Sequence, residues 1–227
     1  MSDFEMIRGI AKKTLTGQSP SGDWLWDRSC RIRRNVDQIC RFPEPAGKAT
    51  VIDRPCLITA AYFAESGYTQ QSAGAKASGE EILWDMNDDS LYSISTRIVT
   101  KQLTNVLNNA QIDKVNTIIT NSANRFTTMT EAMILSDARN LEDLGTVGLL
   151  HELRRSILQG KSVSDLLDSW ERKIEYGYWQ ARIKESFRFD PVRQIAEQRL
   201  ATATAFMGQV AIENNVTDLE EKVSKIS

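Results

Sequence analysis

A single histidine, His151, stands in a chain of 227 residues, and imidazole is the side chain best suited to proton transfer near neutral pH. As a general base it would need a reacting group within hydrogen-bond reach. It falls beside Leu150 and Leu153 in an amphipathic stretch, so it reads as a structural or exposed residue. Ser29 and Ser136 sit in no recognisable nucleophile motif. Trp24 and Trp26, close to Arg28, Arg31, Arg33 and Arg34, are types that stack on bases and contact phosphates. Their spacing fits core and rim positions of an amphipathic helix better. No glycine-rich phosphate cradle occurs in the sequence. Cys30, Cys40 and Cys56 are odd in number and lack CxxC spacing, which argues against a disulfide framework or a zinc knuckle and for free thiols in a reducing cytoplasm.

The composition supports a folded, cytoplasmic protein. An apolar content of 41% with ordinary charge density is that of a globular chain. The formal net charge of −2 gives no long-range attraction to nucleic acid or anionic lipid. The start, MSDFEMIRGIAKK, has no apolar core of a signal peptide, and the apolar runs are far too short to span a bilayer.

The elements that must position any site are helical nearly throughout. Ser2 and Glu5 form a capping box ahead of a stripe of Ile7, Ile10 and Leu15, and GQSPSG closes that helix. From Asp23 a second helix puts Leu25, Ser29, Ile32, Val36 and Ile39 on one face and arginines on the other. Asp53 before Arg54-Pro55 starts a third, and CLITAAYFAESG, apolar on nearly every side, marks it as central and buried. Residues 69–90 carry no clear pattern. Leu91 to Val106 and Ile112 to Ile119 predict two more helices. Thr128 with Glu131 predicts a capping box for a helix that stops at Gly145, followed by Val147 to Leu158. Ser162 with Asp165 opens the next, holding Val163, Leu166, Leu167, Trp170 and Ile174. Asp190 as N-cap before Pro191 opens the last long helix, with Val192, Ile195, Leu200, Ala203, Phe206, Met207 and Val210 on its apolar face. The expected architecture is an all-α bundle in one domain, 1–227, with a core about 24–160, completing helices over 161–215 and a polar tail over 216–227.

Three segments resemble the HD superfamily of metal-dependent phosphohydrolases. WLWDRSCRIRRNVDQI is similar to the opening helix of that superfamily, with Arg28 in the place of a metal-binding histidine and Asp27 just before it. AAYFAESGY is similar to the helix end that carries the His-Asp pair, and here Ala64 and Glu65 stand instead. TEAMILSDARNLEDLG is the strongest of the three. Asp137 fits the last metal-binding aspartate, and Ala138, Leu141, Leu144 and Gly145 fill the rest of the pattern. VNTIITNSANRF resembles a helix end where many members carry further histidines, replaced here by Asn121 and Ser122.

The resemblance implies an HD-like bundle whose metal centre has been dismantled. A catalytic site of this kind needs several protein ligands and an open position for water. Alanine donates nothing and guanidinium repels a cation. Glu65 and Asp137, with Asp27 as a helper, leave at most a weak oxygen-ligated Mg²⁺ or Ca²⁺ site. Arg28 at a former ligand position supplies the charge that a lost metal would leave missing, which predicts a pair with Asp137 or Glu65. The alternative is an arginine that snorkels to solvent. The expected function is non-catalytic binding or regulation, without metal or cofactor. Asp27, Arg28, Arg31, Asn121 and Ser122 are candidate contacts for an anion, and a protein or a small phosphorylated ligand is the expected partner. A divergent phosphohydrolase and a structural dimer, or other homo-oligomer, are the alternatives. No nucleic acid or membrane is expected.

Overall fold

A computed structural model of the chain describes residues 3–16, 23–46, 51–70 and 86–219, and every regular element among them is an α-helix. The Ser2 half of the expected first capping box, the GQSPSG loop, residues 71–85 and the tail from 220 onward lie outside the described residues. Two compact units make up the chain, Met1–Glu142 and Asp143–Ser227.

The first unit runs α1 (Asp3–Leu15), α2 (Trp24–Ile39), α3 (Pro43–Ala46), α4 (Arg54–Phe63), α5 (Asp88–Leu103), α6 (Asn109–Asn121) and α7 (Thr130–Glu142). Its centre is α2 packed on both α4 and α7, with α6 closing over α4 and α7. The five α2 positions assigned to one face, Leu25, Ser29, Ile32, Val36 and Ile39, are all buried. Helix α4 is buried from Cys56 to Phe63 apart from Ile58, as its near-uniform apolar sequence requires. The Asp53 carboxylate accepts from Cys56 N at 3.1 Å and caps it, with Pro55 in the first turn, where a missing N–H costs nothing. Asn87 and Asn108 cap α5 and α6 in the same way, the latter in a reciprocal box with Gln111. On α1 the buried stripe is Ile7, Ala11 and Leu15, while Ile10 lies at its margin.

Helix α7 departs from its sequence reading. It starts at Thr130, and the Glu131 carboxylate is not used for a box with Thr128. It reaches across the core instead, accepting from Asp53 N at 3.2 Å and pairing with Lys114 at 3.1 Å. The second expected break, at Gly145, comes earlier, since α7 ends at Glu142.

The second unit comprises α8 (Gly145–Leu158), α9 (Val163–Glu175), α10 (Tyr178–Ser186) and α11 (Asp190–Asn214), with α11 packed on the other three. Gly145 begins α8 at φ +80°, a backbone conformation that favours glycine. The Ser162–Asp165 capping box forms as expected. Leu149, Leu166 and Met207 are the buried centre of a cluster joined by Leu153, Leu167 and Trp170. Phe189, not Asp190, holds the N-cap position of helix α11, without a side-chain cap, and Asp190 sits in the first turn and pairs with Arg193. Its inner face is Val192, Ala196, Leu200, Ala203 and Met207. Phe206, expected in the core, is 47% exposed. Helix α10 has no counterpart in the sequence reading, and it buries Trp179 and Ile183.

Candidate functional site

The site lies in the first unit, where α2, α5, α7 and the turn after α4 supply its side chains. Helix α4 ends at Phe63, and residues 64–67 form a turn. Ser95 of α5 pins it from outside. Its hydroxyl donates to the Ala64 carbonyl at 3.0 Å and accepts from Gly67 N at 2.9 Å. The backbone passes so near α5 that a Cβ on Gly67 would lie 2.5 Å from the Leu91 carbonyl oxygen. This close approach fixes the direction in which the preceding Glu65 projects.

Glu65, 1% exposed, points at Arg28 of α2. Arg28 Nε donates to Oε2 at 2.5 Å and Nη2 donates to Oε1 at 3.1 Å, a two-point contact that matches planar guanidinium to planar carboxylate. Arg139 of α7 adds a third donor, Nε to Oε1 at 3.3 Å. Its guanidinium carbon rests 4.8 Å from the centre of the Tyr92 ring on α5, and Nη2 is 3.8 Å from the exposed carboxylate of Asp88. Arg28 also lies over the Trp24 ring at 6.0 Å. A guanidinium is held comfortably by one carboxylate and one aromatic face, because it is weakly hydrated and presents a flat cation.

Of the positions expected at the former metal site, Arg28, Ala64 and Glu65 therefore come together at one place. Arg28, expected to pair with Asp137 or Glu65, is buried, 8% exposed, and pairs with Glu65. Asp137 is fully buried on α7 and is engaged rather than free. Arg31 turns to Glu142, Nε to Oε2 at 2.7 Å, and Asn35 supports the same carboxylate at 3.1 Å. Asp27 is exposed in the first turn of α2, where its charge suits the helix dipole. Asn121 donates to the Thr117 carbonyl and Ser122 to the Ile119 carbonyl, so both side chains fold back on their own helix. His151 lies half-buried on α8 in the second unit.

Sequence reasoning missed Arg139 and Tyr92. The one available signal was Arg139 inside a helix whose neighbours Ala138 and Leu141 are core types. A cation so placed needs an internal partner.

The donor set does not suit a transition metal. Both Glu65 oxygens accept from guanidiniums, Ala64 has no donor, and Arg28 places positive charge where a cation would sit. Among the described residues, no group of three or more His, Cys, Asp or Glu side chains is arranged to hold a metal ion. No described helix is long and apolar enough to cross a membrane.

No protein-family model matches the chain, and no curated protein is similar to it. Among solved structures it is similar to Bacillus subtilis YpgQ, an HD-domain-like protein crystallised in complex with ADP, at 17% identity and a TM-score of 0.56, over 92% of this chain and 96% of that one. The helices built around Arg28 and Glu65 thus belong to an all-α, HD-domain-like fold.

Proposed function

We propose that this chain is a non-catalytic HD-like module that binds or regulates, its ancestral metal centre replaced by an arginine–carboxylate cluster. The observation that carries this reading is the two-point Arg28–Glu65 contact, joined by Arg139, at positions that the resemblance assigns to metal ligands. Metal-assisted hydrolysis needs a bound ion to lower the pKa of water and to orient the phosphate. In this cluster the carboxylate that would serve that ion is saturated by cations. Asp137, the remaining candidate ligand, is too little by itself to hold a catalytic ion with an open position. The same cluster counts against the weak Mg²⁺ or Ca²⁺ site through Glu65 and Asp137.

A small phosphorylated ligand is the partner favoured here, and the ADP complex of the B. subtilis neighbour is the support for that choice. The test is titration calorimetry of the full chain with ADP, together with a phosphate-release assay in Mn²⁺ and in Mg²⁺. Binding without turnover is expected. Chelator-sensitive turnover would establish the divergent phosphohydrolase instead.

A further inference from the structure

We infer that the first unit carries a second site, a basic cleft between α1 and α5 that takes a small ligand bearing two or more linked phosphates. The cleft measures about 550 Å³. That volume is within the range of small-molecule pockets. Lys13 of α1 and Arg97 and Lys101 of α5 line it. No carboxylate is among its described lining residues, and no ion pair to a described residue engages any of these three cations. Lys13 and Lys101 each stand in the last turn of a helix, where the dipole favours a cation. That explains the sign of each charge separately but not the convergence of both with Arg97, which is in mid-helix.

The spacing explains how the charges meet. Arg97 and Lys101 are four residues apart on α5, so they share one face of that helix. Ile98 and Ile10 give the cleft an apolar floor, and the Gln70 and Gln102 amides add neutral donors at its edge. Like charges gathered without counter-charge repel one another, and an anion bound among them relieves that repulsion. Arginine and lysine together suit phosphate oxygens, the first through its fork and the second as a point charge.

This inference does not rest on the proposed fate of the metal centre, and its test leaves Arg28, Glu65 and Arg139 unaltered. The full chain is titrated with inorganic tripolyphosphate at low ionic strength. One saturable site is expected, weakening as salt is raised. The Arg97→Ala, Lys101→Ala double variant is expected to lose at least about tenfold in affinity, the cost of removing two phosphate contacts. Arg8→Ala, in the neighbouring cleft lined also by Arg33 and Arg34, is expected to leave binding unchanged. All of these positions are exposed or half-exposed on helices, and unaltered circular dichroism confirms that the variants fold. Absence of saturable tripolyphosphate binding would overturn the inference. So would tripolyphosphate binding that survives the double substitution.

Discussion

Arg28 Nη2 and Arg139 Nε converge on the same oxygen of Glu65, Oε1, at 3.1 and 3.3 Å. One buried carboxylate thereby ties α2 and α7 to the turn that ends α4. Three elements far apart in sequence meet at a single charge, and the cost of removing that charge follows from burial.

Glu65→Ala leaves Arg28 buried without the carboxylate that compensates it, and loss of one partner of a buried pair costs about 3–5 kcal/mol. Glu65→Ala is therefore expected to lower the urea midpoint sharply. Replacing both members, as in Arg28→Met with Glu65→Leu, removes the desolvated charges together and is expected to cost clearly less than Glu65→Ala alone. Equilibrium unfolding of Arg28→Met, of Glu65→Leu and of the double gives the coupling. Costs that simply add would show the pair to be energetically idle.

Gly67 is held against α5 with no room for a side chain. Gly67→Ala pushes a methyl into the Leu91 carbonyl, and overpacking of this kind costs about 1–3 kcal/mol. Thermal unfolding is expected to shift downward. An unchanged midpoint would mean that the turn moves freely and does not aim Glu65.

Much of this frame was legible in the sequence, for particular physical reasons. The α2 stripe and the Asp53-Arg54-Pro55 start are local patterns, set by helical period and by capping, and both appear in the structure. Glu131 was misread because its spacing from Thr128 satisfies a local rule while its carboxylate is claimed by Lys114 and by the backbone of Asp53. Long-range partners of that kind leave no trace at any fixed spacing. Arg139 escaped notice for the same reason, since its partners Glu65, Tyr92 and Asp88 all precede it by dozens of residues. Helix α10 was overlooked because YWQARIKES is short and weakly patterned, and it is packing on α9 and α11 that holds it.

The Ser162 hydroxyl accepts from Asp165 N at 3.1 Å, and Asp165 returns a carboxylate to Ser162 N at 2.8 Å. Both bonds satisfy helix-start donors, and the Ser162 hydroxyl, which also donates to Asp165 Oδ2 at 2.7 Å, together with the Ser162 N–H holds the Asp165 carboxyl below its ordinary range. Ser162→Ala is expected to cost about 0.5–2 kcal/mol, read as a lower unfolding midpoint. The contribution from Asp165 is present above its unfolded-state pKa and fades as pH falls through the lowered folded value.

Burial, and then the nearby Asp53 carboxylate, push the Cys56 thiol up to about 12. The neutral thiol is the native form, so this group stabilises the fold fully below its ordinary value of 9.0, and that contribution is lost as pH rises from there toward about 12. Thiolate is the reactive species. Native alkylation at pH 8 is expected to reach half-buried Cys30 first, with Cys40 and Cys56 reacting only after unfolding. Peptide mass mapping reads the order, and early modification of Cys56 would contradict the packing around it.

The central claim, that a cation cluster has taken the place of a catalytic metal, is tested most directly by elemental analysis of the full chain after equilibration with Mn²⁺, Fe²⁺, Co²⁺, Ni²⁺ and Zn²⁺ and removal of free ions. The expected result is no transition metal retained in stoichiometric amount, whereas Arg28→His combined with Ala64→His and Glu65→Asp gains a measurable affinity. One ion retained per unmodified chain, with turnover abolished by a chelator, would contradict the account.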